Sequence, residues 1–379
     1  MGAALPLVIV FSACLIVRAV VKRAPLTIYV LHGDGEFAHL PDFLERVRGR
    51  CTRNEQPLVL ILDFQHEGLK ELYESQLKWR IMWPSGFERI ISQALLLQSS
   101  ALVSYEYLIT ARFDSARASQ MPLATESLTP GPRIVSVRAS TMRRIGLENQ
   151  RYVALAVNTR RYELLNSPRY AQKTQWKETI GESLSDALDA LSHRGVKAVL
   201  LGSQDTDVSR IPRELPRLSD FGKLGGIEEV ALASGCEYFW TDWVGAWWLG
   251  TPFGKPVLCT NQGHLDCPTQ YMPPVFWLSL PLRLKSESGR EFTLREIVHN
   301  PGLRRSAARQ GDVKVIRNSA DEITAANLEM ISRLEGTWQE DSLMEKNSRR
   351  VKEIFAEVPD CHAYTISSYF LLRHPYFLD

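Results

Sequence analysis

Neither sign of charge dominates this chain. Forty-five basic residues face 43 acidic ones, a formal net charge of +2, so no broad field exists to draw nucleic acid or to hold the body on an anionic surface. A nucleic-acid partner is therefore not expected. Cysteine is sparse and scattered, at positions 14, 51, 236, 259, 267 and 361. A chain of 379 residues can bury a large core without disulfides, which suits a reducing compartment. Metal-ligand spacing is also missing. Cys259, His264 and Cys267 come near it, but no second pair of ligands completes the set that zinc takes, so no metal and no cofactor are expected. Internal repeats and low-complexity tracts are absent.

A full membrane-spanning run is lacking as well. Ala3 to Val17, broken only by Ser12, is apolar over 15 residues, short of the roughly 20 that a span needs. Positive charge follows the run, at Arg18, Lys22 and Arg23, whereas a secretory signal carries it in front; the positive-inside tendency then keeps the folded body cytoplasmic. Two readings stay open for residues 1–25: an anchor over residues 3–21 on the cytoplasmic face of the inner membrane, or a buried first helix.

What is present is an alternation of strands and helices. Leu26–Leu31 reads as a strand running into the loop His32-Gly-Asp-Gly-Glu-Phe37, and Leu40, Phe43, Leu44 and Val47 then share a helical face. Pro57–Asp63 is a continuous apolar strand of the kind buried on both faces of a parallel sheet, with helical material expected to about Leu97. Small, polar and proline-bearing residues between Ser115 and Arg133 predict a connection, with a boundary near residues 120–150.

The second half repeats the pattern more clearly. Strands are expected at 152–157, 196–201, 238–240 and 255–260, and helices at 176–192, 225–234 and 321–334. The fold class is therefore α/β with parallel sheets. The domains expected are 26–140, 150–340 and a helical tail at 341–379.

In a parallel sheet all strands end at one rim, and ligands bind beyond those carboxyl ends. The rim residues are Asn158, Thr159 and Arg160, then Gly202 and Ser203, then Thr241, Asp242 and Trp243, and finally Asn261 and Gln262. Gly245, at the start of an expected helix, would let a phosphate approach backbone N–H groups. A diphosphate fits such a rim, although polar residues also follow strands simply because loops lie at the surface.

Several motifs in a fixed order carry a resemblance. Tyr152–Tyr162, Gly195–Gly202, Glu228–Phe239, Phe253–Asn261, Gly289–Ile297, Val315–Ile323, Met330–Gly336 and Ile366–Pro375 together resemble a family of glycosyltransferases encoded in bacterial surface-polysaccharide gene clusters. The likeness covers about the last three-fifths of the chain, and the N-terminal half matches only at Ala38-His-Leu40. It implies two Rossmann-like domains facing across a cleft (the GT-B type), a nucleotide-sugar donor bound by the C-terminal domain, and a glycan or lipid-linked acceptor. Thr241-Asp-Trp-Val-Gly245 keeps the last glycine of the family's Gly-Thr-x-Ser-Gly-like donor loop and lacks its serine.

Roles follow from the chemistry of such a transfer. The leaving diphosphate gathers negative charge, which a metal-free site meets with backbone N–H groups and fixed cations; Gly245 and Arg160 are the candidates, with Tyr162 and Asn158 holding phosphate or ribose hydroxyls. An inverting reaction also needs a base for the acceptor hydroxyl, and His39, Asp34 and His32 are the groups available in the first strand–helix loop. Histidine titrates near neutrality, which favours His39. Asp205-Thr-Asp207 looks like a manganese-binding pair but lies in a polar loop without further oxygen ligands. Of Trp240, Trp243, Trp247 and Trp248, Trp243 is expected to face ligand and the others to pack. A nucleotide-sugar epimerase of the same fold, and an inactive scaffold in polysaccharide assembly, are the alternatives.

Overall fold

The computed structural model describes residues 28–33, 44, 48, 58–61, 67–77, 80–82, 105–110, 126–157, 182–201, 215–218, 226–242, 245–263, 265, 275–300, 303, 313–359 and 361–379. The chain divides into two compact units, residues 1–126 with 225–230, and residues 127–224 with 231–379.

The first unit holds β1 (Ile28–Gly33), β2 (Leu58–Ile61), α1 (Glu67–Leu77), β3 (Arg80–Met82) and β4 (Tyr105–Thr110). Its sheet runs β3-β2-β1-β4 with every neighbouring pair parallel. That is the 3-2-1-4 order with which a Rossmann sheet begins. Leu69, Leu72 and Tyr73 of α1 are fully buried, the one-sided spacing of a helix lying on a core. Two expectations are corrected here. His32 belongs to β1 and not to a loop, because the ladder with β4 continues through His32 opposite Ile109 and Gly33 opposite Thr110. The helical stretch expected to Leu97 gives way to β3, which pairs with β2.

The second unit begins with α2 (Pro132–Arg144), β5 (Arg151–Ala156), α3 (Glu182–His193), β6 (Val196–Leu201), α4 (Ile227–Gly235) and β7 (Phe239–Asp242), the first residues of α4 grouping with the other unit. A 3₁₀ segment, Gly245–Phe253, leads to β8 (Val257–Gln262), β9 (Trp277–Pro281), β10 (Arg283–Ser286), α5 (Leu294–His299) and β11 (Val313–Ile316). The chain closes with α6 (Ala320–Leu334), α7 (Ser342–Ala356), β12 (Thr365–Ile366), α8 (Ser368–Arg373) and a last 3₁₀ turn, Pro375–Leu378.

Six strands form one sheet in the order β12-β9-β8-β7-β5-β6, all parallel. Val153, Ala154 and Leu155 on β5 and Phe239 and Trp240 on β7 are wholly buried, as a sheet covered on both faces requires. Beyond β6 one more residue, Arg217, forms a parallel bridge with Leu200, whose N–H donates to Pro216 O at 2.9 Å. Counting that segment, the first four strands again lie in the order 3-2-1-4. The direction of winding thus reverses between β5 and β7.

Helix α6 shows how local sequence fixes an element. Ser319 and Glu322 form a reciprocal capping box at its start, and Ile323, Ala326, Met330 and Ile331 turn inward along one side, where α3 packs. Gly336 ends it with φ +69°, letting Thr337 N–H donate to Ser332 O at 2.9 Å. The buried carboxylate of Glu329 on the same helix accepts from Ser367 Oγ at 2.8 Å and from the Ser368 N–H at 2.9 Å, so α6 supplies the N-terminal cap that α8 lacks from its own Ser367 side chain. His374 contacts Glu322, and Tyr376 contacts Glu291.

Candidate functional site

Thr241, Asp242, Asn261 and Gln262 were expected in rim loops; they are instead the last residues of β7 and β8. Pairing continues through Thr241 opposite Cys259 and Asp242 opposite Thr260, because polar groups at a strand end can be buried once hydrogen bonds satisfy them. All four are nearly inaccessible, Asp242 at 1 % and Asn261 at 3 %.

Their partners make one lattice. Asp242 Oδ1 accepts from Thr260 Oγ1 at 3.1 Å and from Asn261 Nδ2 at 2.5 Å, while Oδ2 accepts from Arg317 Nη2 at 2.9 Å. Asn261 and Asn318 grip each other reciprocally: Asn261 N–H donates to Asn318 Oδ1 at 2.6 Å, and Asn318 N–H donates to Asn261 Oδ1 at 2.8 Å. Asn318 Nδ2 donates onward to Pro281 O at 2.9 Å. The ends of β7, β8 and β9 are thereby tied to the crossing from β11 into α6. Asn261 has φ +51°, a left-handed conformation that asparagine tolerates better than most residues, and the β8–β9 register shifts around it.

Around this lattice the walls are aromatic. Trp240 and Trp248 are buried, as packing anchors should be, and Trp277 Nε1 donates to Gln262 Oε1 at 2.9 Å. Gly245 opens the 3₁₀ segment that follows β7. Asn158, Arg160, Tyr162, Gly202 and Trp243, with Asp34 and His39 of the first unit, lie outside the described residues, as do His264, Cys267 and the apolar segment 3–21.

Thr241, Asp242 and Asn261, which the sequence places at one rim, end the neighbouring strands β7 and β8; the sequence reading did not single out Thr260, Arg317 and Asn318. A signal for the last two was available: Ser319-Ala-Asp-Glu322 spells a capping box, which places Arg317 and Asn318 at a helix entrance. Among the described residues no group of three or more His, Cys, Asp or Glu could hold a metal ion, and no helix is long and apolar enough to cross a membrane.

No family model matches the chain, and no curated protein does. Among solved structures, a glycosyl transferase family 9 protein from Veillonella parvula is similar at 13% identity and a TM-score of 0.41, covering 68% of this chain and 86% of that one. The ADP-heptose lps heptosyltransferase II of E. coli is similar at 11% identity and a TM-score of 0.43, over 72% of this chain and 94% of its own. The dodecameric iron-containing heptosyltransferase TibC, in complex with ADP-D-beta-D-heptose, gives 12% identity and 0.39, over 83% and 78%. Likenesses this remote assign no residue a role, and none is carried over.

Proposed function

We propose that this chain is a glycosyltransferase that takes a sugar from a nucleotide-sugar donor, holds the donor's diphosphate at the rim of the second unit's sheet, and passes the sugar to a surface glycan or a lipid-linked acceptor. The observation that carries the reading is the reversal of strand order between β5 and β7. In open parallel sheets ligands bind outside the carboxyl ends of the strands at such a point. Asn158 and Arg160 follow β5, and Thr241 and Asp242 end β7, so the residues suited to a diphosphate cluster in sequence at the two strands that matter. The ordered motifs from Tyr152 to Pro375 support the same class.

In this reading Arg160 and the backbone N–H groups from Gly245 onward meet the charge on the leaving group, Asn158 and Tyr162 hold phosphate or ribose, Trp243 stacks on base or sugar, and Gly202 is a further donor-binding residue. Thr241, Asp242 and Asn261 are the framework beneath. His39, with Asp34 near it in sequence, takes the acceptor proton, and no metal takes part. The body works at the cytoplasmic face of the inner membrane, attached through residues 3–21.

The test is a radiolabelled-donor assay with lipid extract as acceptor source. Transfer to the lipid phase, reduced at least a hundredfold in His39→Ala and Arg160→Ala, is expected. Conversion of the donor into an epimeric nucleotide-sugar without any acceptor would identify an epimerase instead, and nucleotide binding with neither transfer nor epimerisation would identify a scaffold.

A further inference from the structure

The last turn of the chain brings its ionisable groups into one line with the start of α6. His374, buried, stands just before the 3₁₀ turn Pro375–Leu378. Its Nε2 meets Glu322 Oε1, its Nδ1 lies 3.3 Å from the Tyr376 hydroxyl, and that hydroxyl donates to Glu291 Oε2. Glu291 is held in turn by Lys285 Nζ at 3.0 Å and Arg283 Nη1 at 3.4 Å. The ring of Phe370 lies beside the imidazole, 4.8 Å between centroids, and Arg373 on the outer side pairs with Asp321.

The protons in this line can be counted. A phenol has one, an ionised carboxylate none, and a neutral imidazole one. Burial, and then the bond to Glu291, push Tyr376 up to about 12, so the phenol keeps its proton and gives it to Glu291. Burial alone would raise Glu291, but Tyr376, Lys285 and Arg283 together hold it below the ordinary carboxylate value, and it stays an acceptor. A neutral imidazole then leaves one contact without a proton: either Nε2 faces the Glu322 carboxylate bare, or Nδ1 faces the phenol oxygen bare. A second ring proton fills both. Charge points the same way. Glu322 is 5 % exposed, and among the described residues no lysine or arginine is bonded to it; Arg283 feels its charge from further off. A buried carboxylate calls for a paired counter-charge, and His374 is placed to supply it.

We infer, independently of the donor reading, that the end of the chain is a proton-operated latch: uptake of one proton by His374 completes the bonded line from Glu322 to Glu291 and clamps the turn Pro375–Leu378 onto the start of α6. Imidazole is the side chain that changes charge between about pH 5 and 8. The latch holds while the ring carries both protons and weakens as the pH rises and one is lost. It also reaches the β8 rim, because Glu322 Oε2 accepts from Ser319 N–H at 2.7 Å and Ser319 follows Asn318, which grips Asn261.

The experiment is nitrogen-15 NMR of the full-length protein labelled at histidine, with amide hydrogen exchange followed over the same range, about pH 5 to 9. One histidine, identified by its absence in H374Q, should carry protons on both ring nitrogens at the acid end and lose one as the pH rises. Amide protection of residues 368–378, corrected for the pH dependence of chemical exchange, should fall about tenfold across the same midpoint. H374Q should show no step there. E322Q removes the counter-charge and keeps a residue that can cap α6; it should move the midpoint to lower pH, and it serves if H374Q does not fold. A ring with one proton at the acid end, protection that ignores the titration, a step at the wild-type midpoint retained in H374Q, or a midpoint unmoved in E322Q would each overturn the latch.

Discussion

Asn261 carries two burdens at once, a left-handed backbone and three hydrogen bonds. Asn261→Gly relieves the first and loses the side-chain bonds; Asn261→Ala loses the same bonds and keeps the conformational cost. Each leaves Asn318 N–H and Asp242 Oδ1 short of a partner, at about 1–3 kcal/mol per buried group. Urea unfolding should therefore rank stability as wild type, then Gly, then Ala, and an Ala variant as stable as the Gly variant would contradict the argument. Tyr238 offers a cleaner case. Its hydroxyl donates to Asn327 Oδ1 at 2.6 Å in a fully buried setting, and Tyr238→Phe should cost on the order of 1–3 kcal/mol by the same measurement. At this scale the sequence was half legible. Asp242 and Asn261 could be placed at the rim because strand ends are predictable. Their engagement with Arg317 and Asn318 could not, since those partners lie 75 and 57 positions away and no local pattern records a reciprocal amide pair.

Among the elements, α5, α7 and α8 depend on carboxylates whose environments pull in opposite directions. Arg295, hydrogen-bonded at 2.8 and 2.5 Å, and then His299, hold Glu357 at the end of α7 down to about 2, against an ordinary value of 4.5. A carboxylate lowered on folding stabilises above its unfolded value and loses that contribution as the pH falls through its folded value. Glu329 is the reverse. Burial raises it despite Arg333 and the α8 cap, so the unfolded chain gives up this proton first, and stability from this group falls as pH rises above 4.5. In a series of thermal melts, Glu357→Gln should melt below wild type at neutral pH, flatten the acid limb between pH 4.5 and 2, and converge on wild type at the acid end. Glu329→Gln should flatten the decline on the other side, and an unaltered profile in either variant would refute the assignment. Helices α3 and α6 were readable because their apolar residues fall on one face, whereas α4 is buried nearly all round from Glu229 to Ser234. Helix α2 was not, because Gly131-Pro132, which reads as a turn, is a proline at the first position of a helix. Strands β9 and β12 escaped for a related reason, the one ending in Pro281 and the other only two residues long.

Across the whole molecule, parallel sheets in each unit follow from apolar runs separated by helices, and that much is written in the sequence. Strand order is not, because it depends on which strand each crossover returns to. The bridge between Leu200 and Arg217 shows the second sheet winding out past β6 before the chain returns at β7, and so locates the reversal on which the proposed donor site depends. Anything that binds only the folded protein stabilises it by mass action, about 2.7 kcal/mol at a hundredfold excess over Kd. The most direct measurement is therefore a thermal-denaturation panel of nucleoside diphosphates against wild type and Arg160→Ala, which alters a rim residue following β5. One nucleoside diphosphate should raise the wild-type melting temperature in proportion to the logarithm of its concentration and leave Arg160→Ala almost unmoved. No rise with any of them, or an equal rise in both proteins, would contradict a diphosphate at the β5–β7 rim.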